Sequence, residues 1–194
     1  QALNIELPAP DEYFGIRFYP GALRHLFSVN LNEIGNQLVD GEFFPAPFIA
    51  RLHEHIYQYS DFHQRAQLCD QWLLQQLERK PLSIFDQALA FIYKSCGNIE
   101  IAQELAANIG VSSRHLNQLF QQHTGLSTKS FAQTIRFQHA CKHLSLQPEN
   151  SLQTALKLGY FDQAHLLNDF KKRLAQSPVV FFNRFMSDFY NSPA

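Results

Sequence analysis

The sequence predicts a mainly α protein: a seven-helix region over residues 83–187 that holds two helix-turn-helix subdomains joined by a linker helix, preceded by a small strand-plus-helices segment over residues 1–80. Three observations point there. Phe is frequent (18 of 194 residues) while Gly (8) and Pro (9) are few, a mix that suits helices better than turn-rich β structure. From residue 83 onward, apolar residues recur every three or four positions between short turns. A pattern of alanine, glycine, leucine and phenylalanine also repeats about 50 residues apart in that region.

Residues 1–26 show little helical periodicity. "GIRFYP" (15–20) alternates enough to predict a strand, and Pro20-Gly21 supplies the turn that ends it. Two helices are expected over 46–59 and 61–79. In the second, Phe62, Ala66, Cys69, Leu73 and Leu77 recur at helical spacing, and Asp61 is placed to cap it. Pro81 cannot sit in a helix interior, so a boundary belongs near residue 80.

Helices are then predicted over 84–96, 99–107, 112–123, 128–146, 151–158, 162–174 and 178–189. "QPEN" (147–150) interrupts the run, Ser151 can cap the helix after it, and Ser177-Pro178 joins an N-cap residue to a proline at the first helical position. Ala106-x-x-x-Gly110 recurs as Ala155-x-x-x-Gly159, 49 residues on. "HLNQLFQQ" (115–122) recurs as "HLLNDFKK" (165–172), 50 residues on. The one-residue difference falls in the turn, where insertions disturb least. These are two copies of one unit: a first helix-turn-helix over 99–123 and a second over 151–174, with 128–146 between them.

Composition limits the function classes. No apolar run approaches the roughly 18 residues of a membrane span. Cys69, Cys96 and Cys141 stand apart with no C-x-x-C pair, as reduced thiols in a cytoplasmic protein would. The net charge of −1 hides an asymmetry: residues 1–80 carry six Lys/Arg against ten Asp/Glu, and residues 81–194 carry ten against seven. A mildly basic half beside an acidic one suits a nucleic-acid module attached to something else.

In the first unit, Ile101, Ala102 and Leu105 form an apolar stripe and Ala106 permits close approach of a second helix. Gly110 falls where the turn needs a positive φ, and Ser112 caps the next helix. At 100° per residue, Leu116, Leu119, Phe120 and His123 share one side, while Arg114, Asn117, Gln118 and Gln121 share the other. The outer face holds no carboxylate. Arg pairs bidentately with guanine, and Asn or Gln with adenine, in the major groove; Ser112 and Ser113 place free N–H groups at the helix start, where a phosphate can bind. A solvated face would mix Glu with Lys, and this one has neither.

The second unit runs from Ser151 through Gly159 to a helix begun at Asp162. Leu166, Leu167, Phe170 and Leu174 are expected inward, with Ala164, His165, Asn168 and Lys172 outward and Asp169 near them. Asp169 would oppose DNA if it met the phosphates, whereas "KKR" (171–173) is a candidate phosphate contact. The linker spans roughly 28 Å at 1.5 Å per residue. Successive major-groove faces lie about 34 Å apart, so one chain could set two reading helices on the same face of a duplex.

"IAQELAANIGVSSRHLNQLFQQHTGLSTKSF" (101–131) and "SLQTALKLGYFDQAHLLNDFKKRLAQSPVVFF" (151–182) resemble the two helix-turn-helix segments of the AraC/XylS-type transcriptional regulators, over about residues 83–185. "FGIRFYPGALRHLF" with the two helices after it is similar to the tail of a sensor region in one subgroup, which puts the front of that region before Gln1. The resemblance implies a cytoplasmic, nucleoid-associated regulator that is not an enzyme and needs no cofactor. Its implied partners are double-stranded promoter or operator DNA, RNA polymerase, a small-molecule effector and a second copy of the chain. Carried over, the base-reading positions fall on Arg114, Asn117 and Gln118, and on Gln163, His165 and Asn168. Ser112, Ser113, Gln121, Lys171 and Lys172 complete the expected DNA-binding set. Members often have Arg where Asn168 stands and Gly where Ala175 stands, which puts the Asn168 contact and the geometry of that turn in question.

Two other readings compete. A metal sensor could use His53, His55, His63 and Cys69, but His53 and His55 project about 200° apart on a helix and match no zinc spacing. A helical protein-interaction module would tolerate Arg114→Glu, which a DNA reader would not. Enzyme motifs are missing: no G-x-S-x-G, phosphate loop or H-E-x-x-H occurs.

Overall fold

The computed structural model describes residues 14–26, 30–34, 37, 39, 41, 46–77, 82–146, 151–178 and 180–181. Eight α-helices are found there: α1 (Ala46–Tyr57), α2 (Phe62–Gln76), α3 (Ile84–Lys94), α4 (Ile99–Ile109), α5 (Ser113–Thr124), α6 (Thr128–Leu146), α7 (Ser151–Lys157) and α8 (Gln163–Leu174). The helix expected over 178–189 lies almost wholly outside the described residues. The chain divides into two compact units. Among the described residues, one is built on 84–117 together with those between 127 and 181, the other on those between 14 and 83 together with 118–126.

The strand expected over 15–20 does not form; among the described residues there is no strand at all. An isolated extended segment needs a neighbouring chain to complete its hydrogen bonds, and this one is held through a side chain, with the Phe14 ring 5.5 Å from that of Phe62. The turn after it does form, closed by the Ala22 N–H on the Tyr19 carbonyl at 2.9 Å, and leads into a short 3-10 helix at Ala22–His25. In the same unit α1 packs against α2. The Asp61 carboxylate accepts the Gln64 N–H at 2.9 Å, the cap its sequence position predicts. The buried residues of α2 are Cys69 and Trp72. Phe62 and Leu77 stay exposed, so the apolar stripe is narrower than the periodicity suggests.

In the other unit α6 is the axis. Its buried residues Phe131, Ala132, Ile135, Arg136, Phe137, Ala140 and Leu144 lie on more than one face because α3 and α4 pack on it near its start and α7 near its end. Phe85, Ala88 and Ile92 of α3 and Leu105 and Ala106 of α4 are buried. The turn between α3 and α4 approaches α6 so closely that a Cβ at Gly97 would collide with the Ala132 carbonyl oxygen and the Arg136 backbone nitrogen. Glycine there (φ 72°) both bends the chain and admits the helix. A second core joins Phe137, Ala140 and Leu144 of α6 to Ala155, Leu158 and Tyr160 of the α7 region and Leu166 and Phe170 of α8. The Phe137 and Phe170 ring centroids are 4.7 Å apart.

Candidate nucleic-acid interface

The two units of the repeat share their hydrogen-bond pattern. The Val111 N–H reaches back to the Ala106 carbonyl at 2.9 Å, and the Tyr160 N–H to that of Ala155 at 2.9 Å. Each is the long bond that closes a helix ending in a glycine. Gly110 has φ 77°, as the turn chemistry requires. The following helix is capped in both copies. Ser112 Oγ accepts the His115 N–H at 3.1 Å, and Asp162 Oδ1 accepts the His165 N–H at 2.6 Å.

On α5, Ser112, Ser113, Arg114 and Gln118 are exposed, together with His115; Asn117 and Gln121 are half-buried. Asn117 has a second commitment that its place on the outer face does not disclose. Its Oδ1 accepts the Thr128 N–H at 3.0 Å, in the first turn of α6. Ser127 Oγ takes the Ser130 N–H at 3.1 Å, so two of the otherwise orphaned amides at the start of α6 have acceptors. A bidentate contact to adenine would require Asn117 Oδ1 to share its lone pairs with Thr128.

On α8, Gln163, Ala164, His165, Asn168, Lys171 and Lys172 are exposed. Asp169 is turned away from them. Its Oδ2 accepts the Tyr160 hydroxyl at 3.0 Å and its Oδ1 the Arg173 Nε at 2.8 Å. The basic run is therefore split. Lys171 and Lys172 face solvent, while Arg173 points inward, donates to Thr134 Oγ1 at 3.3 Å and lies 5.3 Å from the Phe137 ring centroid. Of the "KKR" run, expected as a phosphate contact, Arg173 is taken up by Asp169 and Thr134, and only the two lysines are left exposed.

Beneath this pair lies Arg136, 3% exposed. Its Nη1 donates to the Gly159 carbonyl at 3.1 Å and its Cζ sits 4.1 Å from the centre of the Tyr160 ring, a cation–π contact in a desolvated place. Burial first, and then the Asp169 carboxylate, push the Tyr160 phenol well above its ordinary range, so it stays protonated and donates. Arg136, Tyr160, Asp169 and Arg173 fasten the α7–α8 turn to α6. Sequence reasoning missed Arg136 in this role, since a lone arginine in a helix pattern carries no sign of burial.

The αL geometry at Ala175 answers the question raised by the missing glycine: φ is 55°, and the Ala175 N–H caps the Lys171 carbonyl at 2.9 Å. The turn keeps its form despite the Cβ.

The remaining candidates have other employment. His55 Nδ1 lies 2.7 Å from the Arg51 carbonyl, and its ring is 5.7 Å from that of Trp72. The His53 ring packs edge-on to Tyr57 and that of His63 to Phe62. Among the described residues no group of three or more His, Cys, Asp or Glu could hold a metal ion. Burial, with Asp169 adding to it, pushes the Cys141 thiol up to about 12; burial also raises Cys69, helped by Asp70. Neither is a ready thiolate at neutral pH. No helix among the described residues is long and apolar enough to cross a membrane.

A family model described as a helix-turn-helix domain matches residues 105–184, the stretch that holds both capped helices and the linker. The chain is 35% identical over 74 residues to the HTH-type transcriptional regulator GlxA of Rhizobium meliloti, covering 38% of this chain and 23% of that protein. It is 32% identical over 111 residues to an uncharacterized HTH-type transcriptional regulator of Haemophilus influenzae, covering 57% of this chain and 36% of that one. The matched stretches thus span well under half of either relative's length. No solved structure matches.

Proposed function

We propose that this chain is a sequence-specific DNA-binding transcription regulator that lays α5 and α8 into successive major-groove segments. The observation that carries the reading is the chemistry of the two exposed faces. α5 offers Ser112, Ser113, Arg114 and Gln118, and α8 offers Gln163, His165, Asn168, Lys171 and Lys172. These are guanidinium, amide, imidazole, hydroxyl and ammonium groups. Of the carboxylates beside them, Asp169 is paired with Arg173 and Asp162 is engaged in capping the first turn of α8. A face of that kind suits base edges and phosphates, and carboxylates would be repelled.

The roles divide by chemistry. Arg114 suits guanine, while Gln118, Gln163 and Asn168 suit adenine. Lys171 and Lys172 suit phosphates, which position the protein without reading sequence. Asn117 is a mixed case, a cap for α6 whose amino group remains to donate. The relatives' names, as transcriptional regulators, support the same reading.

Selection of bound duplexes from a random pool tests it. The expected product is two short motifs whose centres lie about one helical turn apart. Arg114→Glu should abolish enrichment, and Gln118→Ala should relax one motif at a cost of about 1–3 kcal/mol. Recovery of no motif would overturn the DNA reading, and recovery of one motif would overturn the two-helix form of it.

A further inference from the structure

The repeat is offset by 49 residues at the bond closing the first helix of each unit and by 50 at the cap opening the second. Val111 matches Tyr160 and Ser112 matches Asp162 in these bonds. Nothing stands between Val111 and Ser112. Phe161 stands between Tyr160 and Asp162, and it is the added residue. Its side chain is 87% exposed, the highest value among the exposed large apolar residues described.

A Phe directly before an N-cap ordinarily packs on the fourth residue of the helix. Here that residue is Leu166, which is 0% exposed within the core of α6, α7 and α8, and the Phe161 ring is left in solvent. The fold makes no use of it. Its backbone N–H, however, meets His165 Nδ1 at 3.4 Å, and the imidazole is steadied by the Tyr160 ring at 5.2 Å. With Nδ1 accepting, the proton of the neutral ring resides on Nε2, which makes the far end of His165 a donor. An apolar ring and a hydrogen-bond donor are thereby linked at the tip of α8.

We infer that Phe161 and His165 together read a thymine: the ring packs on the C5 methyl while Nε2–H donates to O4. Thymine alone presents an acceptor beside a methyl group on its major-groove edge. The inference rests on the DNA-binding reading and names one base within it.

The test uses the whole chain and a duplex recovered by selection, with each thymine replaced in turn by deoxyuridine, which removes only the methyl. For the unmodified protein, one thymine in the half-site read by α8 should respond with a loss of about fourfold, the burial of one methyl at about 0.8 kcal/mol. Phe161→Ala should bind at least fourfold more weakly, lose the response at that thymine and melt at the same temperature as the parent. His165→Ala should weaken binding while retaining the response. If no thymine responds, or if Phe161→Ala responds as the parent does, the inference fails while the DNA reading stands. It fails equally if Phe161→Ala binds DNA normally and loses only transcription with polymerase, since the ring would then face a protein. If the parent binds no duplex selectively, the inference and the DNA reading fall together.

Discussion

Asn117 caps α6 and, in the proposed function, also faces DNA; substitutions there should separate the two roles. Its Oδ1 accepts the Thr128 N–H at 3.0 Å in the first turn of α6. Asn117→Ala removes that acceptor, and by analogy with helix caps should cost about 1 kcal/mol, within a range of roughly 0.5–2. For a chain of this size the melting temperature should fall by about 2–4 °C. In urea, the midpoint should drop with an unchanged slope. Asn117→Asp keeps an acceptor and adds a negative charge beside the positive end of α6, a favourable interaction of about 0.3–1 kcal/mol that leaves stability at or above the parent's. The same carboxylate would face phosphates, so duplex affinity should fall further than in the alanine variant. Gln118→Ala, an exposed control, should stay within about 0.5 kcal/mol of the parent in stability and lose affinity. The assay is urea unfolding paired with duplex titration at fixed salt. If Asn117→Ala proves as stable as the parent, or the aspartate destabilises the fold, the capping argument is wrong.

Three turns and a half-buried histidine give three further expected outcomes. Gly110→Ala meets open space and carries only the left-handed backbone penalty of about 1–2 kcal/mol, whereas Gly97→Ala also presses on the α6 backbone and should cost about 2–5 kcal/mol in chemical unfolding. Ala175→Gly relieves the left-handed strain at φ 55° and, after the entropy a glycine adds to the unfolded chain, should raise stability by about 0.5–1 kcal/mol; a lower melting temperature would contradict this. His139 titrates below its ordinary value, held down first by burial and then by the His143 and Lys142 charges. The unfolded chain therefore binds that proton more readily. Its contribution is full above about pH 6.5 and is lost as pH falls through the folded value, and His139→Gln should flatten the stability profile in that window.

The helices and caps were legible because their signals are local. Asp61, Ser112 and Asp162 cap where a short polar side chain precedes a periodic run, and α6 covers the span its pattern predicts, Thr128–Leu146. The features hidden in the sequence depend on distant partners. "GIRFYP" has a strand's alternation and no ladder neighbour among the described residues. Arg173 sits in a basic run and turns inward because Asp169 and Thr134 meet it there. Asn117 occupies an outward helical angle, yet the first turn of α6 takes its oxygen. Of the α5 and α8 faces, the residue types were visible in order along the chain. Their withdrawal or exposure was not, and neither was the solitary ring of Phe161, whose insertion could be located only from the paired hydrogen bonds.

The most direct measurement of the central claim is affinity for a selected duplex in which five base pairs are inserted between its two motifs. One helix, α6, joins both reading units, so a half-turn insertion should abolish the contribution of one motif and leave the affinity of a single half-site. Affinity unchanged by the insertion would mean that the two helices do not grip one duplex as a coupled pair, and the account would be contradicted.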